Sequence, residues 1–339
     1  MGTRLVKFAV AAAVAIVLLV ATAPGFFGLA REAPFAQLVS FRLGTALGAV
    51  VVALVVVVVA VLVPPVRRLA LALAALGVVF AVVLAGLQGV RGYEDSAPRA
   101  HRLADLRILT WNTLDSVAVA DVVALADESA VDALALVEVS EAPAQEIAAA
   151  LAAAGRPMTL HYAAGGGGIA GTALLLAPSL GAYAVDPGST PTGTLPSLVV
   201  RPDTPERPVI AAVHAAPPIP ALMADWRSDL SRLAALCSTE EDVVVVGDLN
   251  STLDHWSGLP GTADLGGCSD AGALAGGGGT GTWPASVPAA LGAPIDHVLF
   301  SGRREVSGYV VVDDRDDAGS DHRPVLVQLS VRGMVKDSS

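Results

Sequence analysis

The sequence predicts a membrane-spanning helical region followed by an α/β domain of two packed sheets covered by helices. Nearly all of the hydrophobic excess lies in residues 8–90, whereas residues 100–339 have the mixed composition of a folded soluble domain. In that second part, short β-type runs alternate with helical stretches, and some neighbouring strands follow each other directly. This mixture is typical of two sheets packed face to face with helices outside them. We therefore predict a domain boundary near Arg91.

The first 90 residues contain three uncharged apolar runs, at 8–30, 43–63 and 69–90. A helix of about 20 residues crosses the ~30 Å hydrocarbon core of a bilayer, so each run is long enough to span it. We expect a multi-pass protein of the cell membrane with the lipid bilayer as a partner. Cleavage of the first run as a signal peptide is the alternative, because Ala21-Thr22-Ala23 resembles a cleavage site. A retained helix is favoured because the run continues past Pro24.

Basic residues predict the orientation of these helices. Arg4 and Lys7 precede the first run, and Arg67 and Arg68 lie in the turn between the second and third. The positive-inside rule places both segments in the cytoplasm, so the third helix exits outward. Cleavage of the first run leaves two helices and the same outcome. The loop that carries Arg31 is then external, which weakens the bias, but an extracytoplasmic C-terminal domain is still expected.

The chain beyond the helices divides into a polar linker at 91–105, a catalytic domain at 106–332 and a disordered tail at 333–339. Strands are predicted at 106–111, 133–139, 171–177, 195–201, 208–214, 242–247, 295–301, 305–312 and 323–331. Helices are predicted at about 118–128, 143–154 and 220–237. The glycine tracts at 165–168 and 276–279 lack the Gly-Lys-Ser/Thr ending of a phosphate-binding loop, so we expect surface loops there.

Charge and motif content exclude several function classes. Residues 100–339 hold 13 of the 21 basic and 29 of the 32 acidic residues, a formal charge of −16. Nucleic-acid binding relies on Lys and Arg, so duplex nucleic acid is disfavoured as a partner although not excluded. The chain has neither a Cys/His zinc spacing nor a Gly-x-Ser-x-Gly elbow, which argues against zinc and serine-hydrolase chemistry. No feature identifies a protein partner.

The chain has two cysteines, Cys237 and Cys268. An extracytoplasmic location permits a disulfide between them, and closing a loop of this size stabilises by roughly 3 to 4 kcal/mol in the chain-entropy model. Two unrelated thiols are the alternative. We predict the disulfide, conditional on the expected topology.

Polar side chains recur where the predicted strands of the second part begin or end. Carboxylates, imidazoles and amides together supply what metal-assisted attack on a phosphate ester requires: hard oxygen ligands, an acid or base near neutral pH, and donors for phosphoryl oxygens. Each residue alone has an ordinary explanation as a turn or cap residue. The set consists of Asn112, Glu138, His214, Asp248, Asn250, Asp296, Asp321 and His322.

These residues lie in motifs that resemble the endonuclease/exonuclease/phosphatase superfamily, which has the deoxyribonuclease-I-like fold. The matching motifs are TWN at 110–112, VEV at 137–139, VHAAPP at 213–218, GDLNST at 247–252, IDHVLFSG at 295–302 and GSDHRPV at 319–325. They follow the family's order across residues 106–331. Val137 departs from the pattern, because the family usually has Gln before the metal-binding Glu. The resemblance implies a four-layer α/β/β/α sandwich with the site at one end of the two sheets.

The resemblance also implies a role for each residue. Glu138 would be the main ligand of Mg²⁺, with Mn²⁺ as an alternative ion, and Asn112 and Asp321 would lie near the metal or its waters. Asp248 would position or deprotonate the attacking water, and Asn250 would bind a phosphoryl oxygen.

Two histidines would complete this implied site. His322, oriented by Asp296, would contact the scissile phosphate, and His214 would be a second phosphate-facing imidazole. Which residue acts as the general base stays open. Neighbouring residues are expected to be structural: His297 on the opposite strand face, Trp283 packed under the site, and His255 with Trp256 on an exposed loop.

The leading hypothesis is a membrane-anchored, divalent-metal-dependent phosphoesterase that hydrolyses a phosphodiester or phosphomonoester outside the cytoplasm. Two alternatives remain: a metal-dependent endonuclease or exonuclease, and a non-catalytic domain that binds or senses a phosphate ligand. The sequence leaves the substrate and the oligomeric state open.

Overall fold

Two units make up the chain, one formed by Met1–Arg91 and the other by Gly92–Ser339. The computed structural model describes residues 2–100, 105–259 and 264–331. The predicted tail at 333–339, residue 332 and part of the predicted linker, 101–104, lie outside the described residues.

Helices form the N-terminal unit, and three of them are long and apolar enough to cross a membrane. The helices are α1 (Gly2–Thr22), α2 (Phe35–Ser40), α3 (Arg42–Leu62) and α4 (Arg67–Arg91). The candidate spans are Arg4–Thr22, Arg42–Leu62 and Pro64–Arg91. The first helix ends at Thr22 and does not continue to residue 30, because Pro24 lacks an N–H and disfavours helical geometry at the preceding residue.

Contacts within this unit show which loops share an end of the helical bundle. The Lys7 ammonium donates to the carbonyl of Pro65 at 2.8 Å. The start of α1 and the turn between α3 and α4 are therefore neighbours. At the opposite end, the Arg42 guanidinium donates to the carbonyl of Thr22 at 3.3 Å.

Two six-stranded sheets form the core of the second unit. The strands are β1 (Leu106–Asn112), β2 (Ala133–Val139), β3 (Thr159–Ala163), β4 (Gly171–Leu176), β5 (Tyr183–Val185), β6 (Leu198–Pro202), β7 (Val209–His214), β8 (Val243–Asp248), β9 (Ser269–Asp270), β10 (Asp296–Phe300), β11 (Arg304–Val311) and β12 (Val325–Val331). The first sheet has the order β11-β12-β1-β2-β4-β3, and the second β5-β6-β7-β8-β10-β9. The short strands β3, β5 and β9 have no predicted counterpart, and all three lie at sheet edges.

Three α-helices cover the outer faces of the sheets: α5 (Val119–Glu128), α6 (Glu141–Ala153) and α7 (Met223–Thr239). A short helix, α8 (Ala271–Ala275), packs instead against the apolar cluster between the sheets, to which Ala271 contributes. One apolar cluster fills the space between the sheets, with side chains from β1, β4, β7 and β8. A second cluster packs α5 and α6 on the first sheet, and α7 buries Trp226, Leu230 and Leu233. The predicted four-layer α/β/β/α sandwich is confirmed.

In each sheet, two neighbouring central strands run in the same direction and end side by side. β1 pairs with β2 in parallel, and β7 pairs with β8 in parallel, so each pair ends at one edge of its sheet. β10 runs antiparallel to β8 with Asp296 opposite Asp248. Residues at the ends of β7 and β8 and at the start of β10 therefore share one edge of the second sheet.

A disulfide joins Cys237 in the last turn of α7 to Cys268 in the segment before β9. Both cysteines are buried. The bond connects the helix that covers the second sheet to the segment that leads into the edge strand β9.

Gly247 provides a stability prediction. Its φ is +139°, and a Cβ at this position would lie 2.0 Å from the carbonyl oxygen of Val213 on β7. We expect Gly247→Ala to destabilise the domain by more than about 2 kcal/mol, because the neighbouring strand backbone has to move. Urea unfolding of the detergent-solubilised chain, followed by circular dichroism, measures this loss.

Gly166 is the matched control, because a Cβ there meets no atom within 4 Å. Gly166→Ala is expected to change the free energy of unfolding by less than about 0.5 kcal/mol. Equal stability of the two variants would contradict the close approach of β7 and β8 at Gly247.

Candidate active site

The eight residues singled out in the sequence meet at one end of the two sheets. Asn112 and Glu138 lie at the ends of β1 and β2, and His214 and Asp248 end β7 and β8. Asp296 starts β10. The other three lie on loops that follow or precede strands: Asn250, Asp321 and His322. An unbroken series of contacts shorter than 4 Å links all eight.

Asp248 lies at the centre of this group. Its Oδ2 accepts hydrogen bonds from the side-chain amides of Asn112 at 3.2 Å and Asn250 at 3.4 Å. The Nε2 atoms of His214 and His322 each lie 3.8 Å from the same oxygen. Because 3.8 Å exceeds the length of a hydrogen bond, an oxygen of water or substrate can bridge these atoms.

The Asp296–His322 pair sets the charge state of the centre. Asp296 Oδ2 lies 2.8 Å from His322 Nδ1, and both side chains are buried. Burial acts to lower the pKa of His322, but the charges of Asp296 and Asp248 raise it to about 10. Burial, together with repulsion from Asp296, raises the pKa of Asp248 to about 7. The centre thus combines an imidazolium with a carboxyl group that titrates near neutral pH.

His214 differs from His322 in its charge. Burial, together with the positive charge of His322, lowers the pKa of His214 to about 4, so this imidazole is neutral at pH 7. Its Nε2 lies 3.6 Å from Glu138 Oε1. Its buried Nδ1 has no hydrogen-bond partner among the described residues. These contacts favour the tautomer that carries the proton on Nε2, facing the carboxylates.

Glu138 presents its carboxylate towards solvent from an irregular point of β2. Its φ is +50°, and the pairing with β4 shifts between Val137 and Val139. The side chain is 30% exposed, and its Oε1 accepts a hydrogen bond from Asn112 Nδ2 at 2.8 Å. The amide oxygen of Asn112 accepts from the Leu114 amide at 3.0 Å. Asn112 therefore orients the carboxylate through its N–H group.

Asn250 also has a left-handed backbone, with a φ of +47°. Its backbone N–H donates to Asp248 Oδ1 at 2.8 Å, and this hydrogen bond closes a tight turn after β8. Its side-chain amide donates to the carbonyl of Ala215 at 2.9 Å, and its own carbonyl accepts from Trp226 Nε1 at 3.0 Å. These hydrogen bonds hold the loop after β8 in place, so that Asn250 stays beside Asp248.

Asp321 occupies the most open position, with a side chain that is 45% exposed. Its Oδ1 lies 3.9 Å from His322 Nε2, and its Oδ2 accepts from Trp283 Nε1 at 2.8 Å. Trp283 was expected to be structural, but this bond makes it a support of a site carboxylate. The motif signal could not identify it, because it lies 38 positions from its partner.

Two further hydroxyl groups support the site without having been singled out in the sequence. Ser320 Oγ donates to the carbonyl of Asn112 at 2.5 Å and accepts from the amide of His322 at 2.9 Å. Thr282 Oγ1 accepts from the amide of Asp296 at 3.1 Å. Ser320 lies inside the GSDHRPV motif, so its position beside Asp321 and His322 was an available signal.

Two histidines outside the centre, His255 and His297, have structural partners. His297 lies between Asp270 Oδ2 at 2.7 Å and the carbonyl of Ser251 at 2.8 Å. The expectation of an exposed loop for His255 and Trp256 was wrong, because both are buried. His255 Nδ1 accepts from the Thr252 amide at 2.8 Å, which closes a helical cap.

Two solved TDP2 structures from D. rerio support the fold described above. One is humanized by 14 mutations and the other is complexed with single-strand DNA product; each shows 16% identity and a TM-score of 0.52, and the alignment covers 67% of this chain and 100% of that one. An endonuclease/exonuclease/phosphatase structure from Beutenbergia cavernae also matches, with 20% identity, a TM-score of 0.47 and coverage of 67% of this chain and 72% of that one. No curated protein sequence matches the chain significantly.

A family model described as the endonuclease/exonuclease/phosphatase family matches residues 109–322. The match covers more than half of the chain and includes all eight residues of the centre. The chain belongs to the endonuclease/exonuclease/phosphatase family.

Proposed function

We propose that this chain is a membrane-anchored, divalent-metal-dependent phosphoesterase whose catalytic domain lies outside the cytoplasm. The observation that carries the proposal is the meeting of two histidines, one cationic and one neutral, at one buried carboxylate, Asp248. A partly exposed carboxylate, Glu138, adjoins them. Family membership supports hydrolysis of a phosphate ester as the reaction class.

The donor set fits a hard divalent cation. Glu138 offers a carboxylate that Asn112 holds in place, and Asp321 offers a second, more open one. Mg²⁺ prefers such oxygen ligands and keeps several of its waters. The buried group of Asp248, Asp296 and His322 is compact, but its Asp296–His322 hydrogen bond already occupies one ligand atom of each partner. Glu138 and Asp321 are therefore the proposed metal-binding residues, with Asn112 as the orienting residue.

Held by Glu138 and Asp321, Mg²⁺ or Mn²⁺ would supply positive charge for the phosphoryl oxygens and the leaving group. The protein supplies the proton transfers. Asp248, with a pKa near 7, accepts a proton from the attacking water, and the two amides on its Oδ2 keep that oxygen in position.

The phosphate group is stabilised by donors of different charge. His322, held by Asp296, presents a cationic N–H to the phosphoryl oxygens, and the neutral His214 adds an uncharged donor. Asn250 donates its side-chain amide to the carbonyl of Ala215 and to Asp248 Oδ2, so it positions the carboxylate that faces the phosphate. Because only His322 is cationic, it can offset the charge that develops in the transition state. His214 is neutral, so it does not add a second positive charge that would lower the basicity of Asp248.

The distribution of basic residues supports the proposed orientation in the membrane. The contact between Lys7 and Pro65 brings the start of α1 next to the turn that carries Arg67 and Arg68. Four basic residues thus cluster at one end of the helical unit, which is assigned to the cytoplasm by the positive-inside rule. Three spans from that side lead the chain outward at Arg91.

Metal-dependent hydrolysis is the direct test of the proposed function. The purified full chain, stripped with EDTA and resupplied with Mg²⁺ or Mn²⁺, is expected to hydrolyse bis-p-nitrophenyl phosphate, and cells that express it are expected to hydrolyse this ester without lysis. Single-stranded and duplex DNA, assayed in parallel, test the nuclease alternative. Binding of inorganic phosphate without turnover of any ester would instead support a non-catalytic phosphate-binding domain.

Removal of the proposed metal ligand gives a second prediction. We expect Glu138→Gln to abolish the rise in melting temperature that Mg²⁺ produces in the EDTA-treated protein, because bound metal stabilises only the folded state. The exposed Glu146 on α6 provides the control, since Glu146→Gln keeps the same charge change away from the site. A Mg²⁺ response that survives in Glu138→Gln would exclude this carboxylate as the main ligand.

The carboxylate behind His322 gives a third prediction. Asp296→Asn is expected to lower kcat by about 10² to 10⁴, because the imidazole loses the partner that fixes its orientation and charge. Asp270, which holds His297 in an equally short pair, is the matched control. Asp270→Asn is expected to lower the melting temperature and to keep kcat per folded molecule within about threefold. Equal losses of kcat per folded molecule in both variants would show that the effect of Asp296 does not depend on its pairing with His322.

A further inference from the structure

The chain enters the catalytic domain without a free spacer after its last apolar helix. α4 ends at Arg91, and the carbonyl of the next residue, Gly92, accepts a hydrogen bond from the Gly279 amide at 2.9 Å. The Glu94 amide donates to the carbonyl of Gly276, also at 2.9 Å. The first residues of the segment predicted as a linker are therefore bonded to the domain.

The segment continues along the edge of the first sheet. Ser96 and Tyr309 of β11 exchange both backbone hydrogen bonds, at 2.8 and 2.7 Å. We call residues 92–96 together with residues 271–279 the entry surface. Four backbone hydrogen bonds within the domain hold residues 92–96 in place, and none of them involves the N-terminal unit.

The entry surface leads directly to the active site. Thr282, three residues after Gly279, accepts from the amide of Asp296, and Trp283 donates to Asp321. Three extended residues span at most about 11 Å, and each hydrogen-bonded pair at the ends adds about 5 Å. Gly92 therefore lies within roughly 20 Å of the site, whereas a domain of this length is about 45 Å across.

Exposed apolar side chains accompany the entry surface. Tyr93, two residues after α4, is 39% exposed, and Leu274 on α8 is 59% exposed. Tyrosine is enriched at the interface between membrane and water, where its ring lies among the headgroups. Both side chains suit a surface close to lipid.

The acidic charge of the domain argues against recruitment of an anionic substrate by electrostatic attraction. Lys7 and Lys336 are the only lysines in the chain, and none of the eight site residues is Lys or Arg. With a formal charge of −16 over residues 100–339, the domain repels a free polyanion at long range. Confinement to a membrane raises the effective concentration of a substrate without any attraction of charge.

Resting on the proposed phosphoesterase function, we infer that the substrate is a phosphate ester carried by a lipid of the bilayer that holds the N-terminal helices. The short path from Gly92 to Asp296 keeps the active site within roughly 20 Å of the residue at which the chain leaves its last apolar helix. A water-soluble phosphate ester would be hydrolysed by the same chemistry. The two kinds of substrate differ in whether the bilayer holds them near the active site, and not in the bond that breaks.

The test compares two diesters that share one chromogenic group, with the full chain in zwitterionic nanodiscs and Mg²⁺. Phosphatidyl-p-nitrophenol is embedded in the disc, and methyl p-nitrophenyl phosphate is dissolved in the buffer. At equal bulk concentration we expect the lipid-borne ester to be hydrolysed at least about tenfold faster. Equal rates would overturn the inference and leave the proposed function intact, whereas no metal-dependent hydrolysis of either ester would reject the proposed function itself.

A spacer variant tests the role of the direct entry. Thirty Gly/Ser residues inserted between Arg91 and Gly92 are expected to lower the rate on the lipid-borne ester about three- to tenfold, because the domain then samples positions farther from the bilayer. The rate on the soluble ester should not change. The same spacer appended after Ser339 is the control and should alter neither rate.

A charge variant tests the entry surface itself. Leu274→Glu is expected to lower the rate on the lipid-borne ester about threefold or more and to spare the soluble ester. Val185 is the matched control: it is 47% exposed and lies on β5, at the opposite edge of the second sheet from β9. If Val185→Glu and Leu274→Glu reduced lipid hydrolysis equally, the entry surface would not be the membrane-facing side.

Discussion

Two carboxylates face each other across adjacent strands in the interior of the domain, and the arrangement of the site depends on this pairing. The antiparallel register of β8 and β10 places Asp248 opposite Asp296, and both are buried. Burying one charged group costs several kcal/mol, and two like charges side by side add repulsion. His322 supplies the compensating cation, which is why the loop before β12 has to return to this edge.

The supporting contacts follow from the need to hold His322 in place. Ser320 bonds the loop backbone to the end of β1, and Trp111 Nε1 donates to the carbonyl of His322 at 2.9 Å. Thr282 fixes the start of β10. The first sheet thus contributes the anchor for a histidine that neutralises carboxylates of the second. The site is an interaction between sheets, and neither sheet could form it alone.

Strand-end residues could be predicted from the sequence, because an apolar strand that ends in Asn, Glu, His or Asp places that side chain at a sheet edge. The meeting of those strand ends at one site was implied by the resemblance of the motifs to the endonuclease/exonuclease/phosphatase superfamily. Other features depend on contacts between distant residues and have no local signal. The bond between Trp283 and Asp321 and the pairing of Ser96 with Tyr309 are of this kind. The edge strands β3, β5 and β9 are too short or too polar to show a clear alternation, and the end of α1 depended on Pro24 overriding an apolar run that continues beyond it.

The left-handed backbone at Glu138 and Asn250 has a consequence for protein engineering. Both residues have φ values that glycine tolerates better, and such conformations cost of order 1 kcal/mol or more for most other residues. A screen that selects variants only for resistance to heat would therefore favour glycine at position 138, whereas the side-chain hydrogen bonds of Asn250 to Ala215 and Asp248 oppose the same change at position 250. Glycine at position 138 would also remove the carboxylate that the site presents. Thermostabilisation of this protein thus needs selection for turnover at the same time.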